Sequence, residues 1–294
     1  MIIYEHDTED VQMLSIYKYK IVSNVINYSY VDFDKWNIDM TDIAIGEKDI
    51  NFYLIIDTLI NDALIHWVAE SAIYLFLFKE LKETYPTLKL HLKTQKQYKK
   101  MICDHFEIEN TDVVIELLPN NVCFFPLPIS SLNKNTICPD YIAQLNRFCN
   151  FIQSSVTKDV DKSVSVLFMP RQTKENFAGN DRTYNTQEIS NKISEVQNSM
   201  ILNTDNIKSL QEQIDIVNSS KNIIVTGGSS YFFNGILSNS ANLIVLDAPI
   251  HNRQIQQYIK LKYCDDLVRM RNIVNDIPLS GAFKFDNIKT FLKI

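Results

Sequence analysis

Beyond residue 50 the chain alternates short apolar runs of strand length with longer segments in which apolar residues recur every three or four positions. That alternation predicts an α/β architecture. In the first half, strands are expected over 51–56, 88–92, 113–117 and 122–125, with helices over 61–83 and 95–106. Pro126 and Pro128 close this run, because proline lacks the ladder donor and fixes φ. A helix over 140–156 precedes the polar stretch 157–162, which reads as an inter-domain connection. The second half restarts with a strand over 163–169 and helices over 186–196 and 207–217. In the latter, Ile207, Leu210, Ile214 and Val217 form a buried stripe and Asp205 is placed as the cap. Segment 251–274 reads as a polar helix and 283–292 as a last short one. Tyrosines and aspartates interrupt any clean period in the first fifty residues.

The expected organisation is therefore two α/β domains, 1–157 and 158–265, with 266–294 as C-terminal helices that could pack back on the first domain. At 294 residues and 46% hydrophobic content, the chain has enough apolar surface for two cores. A net charge of -6 argues against non-specific nucleic-acid binding, which needs a surplus of cations facing phosphates. Lys89, Lys93, Lys96, Lys99 and Lys100 cluster, and are read as the solvated face of a helix. Cys103, Cys123, Cys138, Cys149 and Cys264 are odd in number and form no C-x-x-C pair, so neither a disulfide framework nor a zinc site is expected. The first residues lack the layout of a secretory signal, and the most apolar window, 63–78, is too short for a membrane span. A cytoplasmic protein with no membrane span is expected.

Candidate chemistry starts in segment 222–247, which reads as strand, glycine turn, short helix and second strand. The two strands, 222–226 and 243–246, can lie parallel across a helical crossover. Gly227 and Gly228 permit a sharp turn, and Ser229 or Ser230 can cap a helix starting at Tyr231. Amides converging at that N-terminus favour an anion such as a diphosphate. No G-x-G-x-x-G, G-x-x-x-x-G-K-[ST] or G-x-S-x-G occurs. His66 and Glu70 are spaced by four, so both lie on one face of an apolar helix, where a carboxylate of raised proton affinity beside an imidazole suits general-base work. The competing reading is a core histidine satisfied by its own helix. Arg171 and Arg182 follow strand 163–169, at the sheet edge where α/β folds hold ligands, and could neutralise a diphosphate. Ordinary loop charge is the alternative there. The D-x-D triplets Asp32 to Asp34 and Asp159 to Asp161 could hold a divalent metal, although acidic loops are usually just solvated.

In order, these pieces resemble glycosyltransferase family 61 from about Asp62 to Asp247. The family's histidine and acid four residues apart match His66 and Glu70. Its two arginines with a following asparagine and glutamate match Arg171, Arg182, Asn185 and Glu188. A Glu-Gln pair in a helix, a strand, a glycine-containing turn, an asparagine and a strand ending in an acid match Glu212, Gln213, 226–230, Asn234 and Asp247. The family's His-Gly-Ala turn is replaced here by Gly228, Ser229 and Ser230, so no imidazole contribution carries over.

The resemblance implies a GT-B-like architecture, two Rossmann-like domains facing across a cleft, and inverting sugar transfer. The donor would be a nucleotide-sugar, UDP-linked at the family level, with xylose or N-acetylglucosamine plausible. The acceptor would be a hydroxyl of a glycan or glycoprotein. Glu70 would act as base with His66 positioning or relaying. Arg171, Arg182, Gly227, Gly228, Ser229, Ser230, Asn234 and Asp247 would bind the donor. No cofactor is required, and a divalent metal could assist without being essential. A catalytically silent glycan- or nucleotide-binding protein, or another Rossmann-like enzyme such as a methyltransferase, are the alternatives.

Overall fold

The computed structural model describes residues 3–6, 19–23, 50–57, 64, 67–68, 71–126, 139–156, 160–170, 185–226, 229–238, 241–246, 272–274 and 283–292. The chain divides into two compact units, Met1–Lys134 and Asn135–Ile294. Each is mixed α/β with a largely or wholly parallel sheet.

In the first unit, β1 (Ile3–His6), β2 (Tyr19–Ser23), β3 (Asn51–Ile55), β4 (Lys89–His91), β5 (Val113–Val114) and β6 (Asn121–Pro126) form one sheet in the order β1-β2-β6-β3-β4-β5. β6, β3, β4 and β5 are parallel, whereas β1 and β2 add an antiparallel edge on β6. Helices α1 (Leu75–Thr84) and α2 (Gln97–His105) make the crossovers to β4 and β5. They bury Phe78, Leu81 and Ile102 together with Phe106 just past α2, while Leu54 and Phe124 come from the sheet. Burying each such side chain contributes about 1.5–3 kcal/mol, which offsets the cost of about 1–2 kcal/mol for ordering its own backbone.

The long helix expected over 61–83 is interrupted. Leu64, Trp67 and Val68 are helical, but Ser71 leaves helical geometry at φ -124°, ψ -48°, and a 3-10 turn over Ala72–Tyr74 leads into α1. The Tyr74 amide donates to the Ser71 carbonyl at 3.0 Å, the tighter spacing of that turn.

In the second unit, β7 (Val164–Met169), β8 (Ser199–Ile201), β9 (Ser220–Thr226), β10 (Asn242–Leu246) and β11 (Asn272–Val274) are all parallel, in the order β11-β10-β9-β7-β8. The helices are α3 (Pro139–Ser154), α4 (Thr186–Ser194), α5 (Leu210–Asn218), α6 (Ser229–Leu237) and α7 (Phe285–Lys289). On one face, Ile189 and Ile193 of α4 and Ile288 of α7 pack with Val166, Phe168, Ile224, Ile244 and Leu246. Helices α5 and α6 pack against β9 and each other, and α3 packs against α6. The alternation of Ile224 against Ile223 and Val225 along a buried strand is what supplies apolar side chains to both faces. Near the amino ends of β9 and β10, Asn222 donates to the Ser165 carbonyl at 2.8 Å, and Asn242 donates to Asn222 Oδ1 at 3.0 Å and to the Phe291 carbonyl at 2.7 Å.

Several expectations change. The division falls between Lys134 and Asn135, so α3 belongs with the second unit, where Gln211 Nε2 donates to the carbonyl of Ser155 just past α3 at 3.1 Å. Within the second unit, β11 extends the sheet, and Phe283 and Ile288 complete its core. Residues 272–274, placed in a polar helix by the sequence, are a strand; residues 251–271 lie outside the described ones.

The cap of α5 is Ser209 rather than Asp205. Ser209 Oγ accepts from the Glu212 amide at 3.1 Å, and Glu212 reaches back to accept from the Lys208 amide at 2.8 Å. This reciprocal pattern satisfies two amides that the helix cannot. Ser209→Ala is expected to lower unfolding free energy by about 1 kcal/mol in denaturant titrations. Asp205→Ala should stay within about 0.5 kcal/mol of the parent; the reverse ranking would contradict this cap.

Candidate functional site

The strand orders fix where each sheet reverses. Counting parallel strands in chain order, the first sheet runs 3-2-1-4 and the second 2-1-3-4-5. Both are Rossmann-like doubly wound orders, and ligands of such sheets sit outside the strands' carboxyl ends at the point where the order reverses. In the second unit that point lies between β7 and β9, paired with Met169 opposite Val225. In the first it lies between β3 and β6, paired with Leu54 opposite Phe124.

At the β7/β9 point, the chain leaves β7 through Pro170 into the segment carrying Arg171 and Arg182, and leaves β9 through Thr226 into Gly227 and Gly228. These four residues lie outside the described ones, as does Asp247, directly after β10. The two segments expected to bind a diphosphate thus depart from adjacent parallel strands at one carboxyl edge, a neighbour relation that chain order alone does not disclose.

Helix α6 begins at Ser229, so Ser229 and Ser230 stand in its first turn. First-turn amides have no partner within their helix, whichever residue caps it. Asn234 is buried, and its Oδ1 accepts from the equally buried Gln213 Nε2 at 2.9 Å. Gln213 and Asn234, matched separately to the family pattern, are in contact and tie α5 to α6. Glu212, beside Gln213, serves the cap of α5.

The segment with the two arginines ends at Asn185, whose side chain makes a pair of hydrogen bonds to a distant backbone. Its Nδ2 donates to the Phe283 carbonyl at 3.0 Å and its Oδ1 accepts from the Phe283 amide at 2.8 Å. Nδ2 also donates to Glu188 at 2.9 Å. Asn185 and Glu188 therefore fasten the far end of the arginine segment to the C-terminal part of the second unit.

His66 and Glu70 lie outside the described residues, which include their neighbours Trp67 and Val68, both helical and buried. Compared with protein-family models and with curated proteins, the chain matches none.

Sequence reasoning missed the charged cluster at the carboxyl end of β3. Lys99, expected on a solvated face, has 0% side-chain exposure and pairs with Asp57 at 2.6 Å. Asp57 also accepts from Trp67 Nε1 at 2.5 Å and from the Lys93 amide at 3.0 Å. The available signal was an aspartate directly after an apolar strand, followed by a lysine on the apolar side of α2.

Nearby, His91 at the end of β4 is held below the ordinary imidazole range by burial, so it is neutral at pH 7, with Nε2 at 3.1 Å from the Ile115 carbonyl. Burial pushes the thiols of Cys103, Cys123 and Cys149 up to about 12, which leaves them without nucleophilic thiolate. Of the D-x-D triplets only Asp161 is described, and it is exposed. Among the described residues no three His, Cys, Asp or Glu side chains converge, and no helix is long and apolar enough to cross a membrane.

Proposed function

We propose that this protein is an inverting glycosyltransferase of GT-B type, moving a sugar from a UDP-linked donor to a hydroxyl of a glycan or glycoprotein. The supporting observation is the coincidence at the β7/β9 reversal point. A segment with two arginines and a glycine turn leading into a helix N-terminus emerge from neighbouring strand ends, where doubly wound sheets hold their ligands.

In this reading the diphosphate is held by Arg171, Arg182 and the amides from Gly227 to Ser230. Guanidinium forks match phosphate oxygens, and the helix N-terminus adds a favourable dipole. Developing charge on the leaving diphosphate is thereby stabilised in the transition state. Asp247, which follows β10 in the chain, would orient the ribose. Asn234 and Gln213 hold the helix from behind.

The acceptor hydroxyl needs a base on the opposite side of the sugar. Glu70 supplies it, with His66 orienting or relaying the proton. Two Rossmann-like units facing across a cleft would bring base and donor together. The arginines and the helix terminus carry the charge that a metal carries elsewhere, so a divalent ion assists without being required.

A thermal-shift comparison tests the ligand class, since a ligand of the native state raises the melting temperature. UDP and UDP-sugars should stabilise the protein, whereas stabilisation by S-adenosylmethionine alone would replace a transferase of sugars with one of methyl groups. Arg182→Ala should weaken UDP binding roughly tenfold to a hundredfold, the loss of one charge-assisted contact. Unchanged affinity by calorimetry would remove Arg182 from the site.

A further inference from the structure

We propose that β8 is a dimerisation edge, at which two copies of this chain pair antiparallel across a two-fold axis at Ile201 and continue their second sheets into one another. Nothing in this pairing depends on the transferase reading.

Among the described strands β8 is the outer one of the second sheet, and it pairs with β7 alone. The Leu202 amide donates to the Phe168 carbonyl at 2.8 Å, so by the period-two alternation of a strand Met200 and Leu202 turn their backbone groups toward β7. Those of Ser199 and Ile201 turn away, as do those of Asn203, which keeps extended geometry at φ -81°, ψ 113°. Part of this outward row is already used within the chain. The Ser199 amide donates to the Val196 carbonyl at 3.2 Å, and the Asn203 carbonyl accepts from the Asn206 amide at 3.0 Å. What stays open among the described residues is the Ser199 carbonyl, both backbone groups of Ile201 and the Asn203 amide.

This set is complementary to itself. With Ile201 on the axis, the paired Ile201 residues exchange both N–H to C=O bonds, and each Ser199 carbonyl accepts from the Asn203 amide of the other copy. Every open group is then used once. The occupied groups, the Ser199 amide and the Asn203 carbonyl, are the ones that would face each other across the axis, so neither is left without a partner.

The side chains agree with the pairing. Met200 and Ile201 point to opposite faces and are both exposed, so a second strand covers apolar surface on each side. Residues 198–203 carry no charge, and self-pairing therefore sets no like charges opposite one another. Open edges are ordinarily guarded by charge, proline or a bulge. In the first sheet, β1 carries Glu5 and His6, and at β5 the Val113 amide donates to the Asn110 carbonyl while the Ile115 carbonyl lies 3.1 Å from His91 Nε2. β8, in unbroken register with β7, has none of these guards. So short a ladder falls below the about 1,200 Å² of a standard interface, which makes the dimer one of the weak class.

Sedimentation velocity of the full chain should show monomer at about 1 μM and dimer at about 100 μM. Over the same range, amide exchange in residues 199–203 should slow at least about tenfold, with β7 and β9 unchanged. Ile201→Glu and Ile201→Lys should each sediment as monomers at about 100 μM, because each sets a charge opposite its own copy. An equimolar mixture of the two variants should regain the dimer, since opposite charges then meet on the axis. A monomeric wild type at about 100 μM, a dimer that persists in either variant alone, or a mixture that stays monomeric overturns the pairing. Should neither variant fold, the wild-type exchange decides, and protection over 199–203 that does not change with concentration overturns it.

Discussion

Replacing Asp57 by alanine is expected to lower the unfolding free energy by about 3–5 kcal/mol, the largest stability effect of any single substitution considered. The cause is what remains behind. Lys99 loses its carboxylate partner in a site with 0% side-chain exposure, and the Trp67 and Lys93 N–H groups lose their shared acceptor. Removing one partner of a buried pair costs more than the net worth of the pair, and each donor that loses its carboxylate acceptor adds to the loss. The double substitution Asp57→Ala with Lys99→Met should recover most of the loss, because no charge is then left in the interior. Denaturant midpoints at constant m would check both values. A single variant within about 1 kcal/mol of the parent would mean that water or a neighbour rescues Lys99.

Glu70→Gln is expected to reduce sugar transfer at least about a hundredfold while leaving donor binding nearly intact. The two readouts separate because donor contacts are assigned to the second unit and proton removal to the first. Glutamine keeps the size and hydrogen-bonding capacity of the side chain and cannot accept the proton. Turnover and calorimetric donor affinity, measured on the same preparation, would check this. A variant with full turnover would take Glu70 out of the chemistry, and one with lost donor affinity would move it to binding.

Local periodicity was enough to find most elements, because burial on one or both faces leaves a repeat in the chain itself. Strands β3, β4, β7, β9 and β10 and helices α2, α3 and α4 lie where their apolar spacing put them. Elements that bury little leave little trace. β8 spans only Ser199–Ile201 and exposes Met200 and Ile201 by 37% and 39%, so it has no alternation to detect. β11 is three residues long within a polar stretch. The break at Ser71 was hidden because the residues on either side of it, Val68 and Ala72, are both apolar and buried.

The site was less accessible than the fold, for a reason of scale. That β7 and β9 are neighbours, with β8 on the outer side, is a relation between segments about fifty residues apart, and nothing in either segment encodes it. The arginine segment and the glycine pair could each be suspected, but that they follow neighbouring strands could not. Lys99 was misjudged because four further lysines surround it in the sequence, and only its position on the inward side of α2, opposite Asp57, distinguishes it.

The most direct measurement is release of UDP by the purified wild-type protein from a panel of UDP-sugars, with and without glycan acceptors. A sugar donor bound at the β7/β9 crevice predicts acceptor-stimulated UDP release from at least one of them, and loss of that signal in Arg182→Ala. Folded protein that neither binds UDP nor releases it from any donor would contradict the assignment.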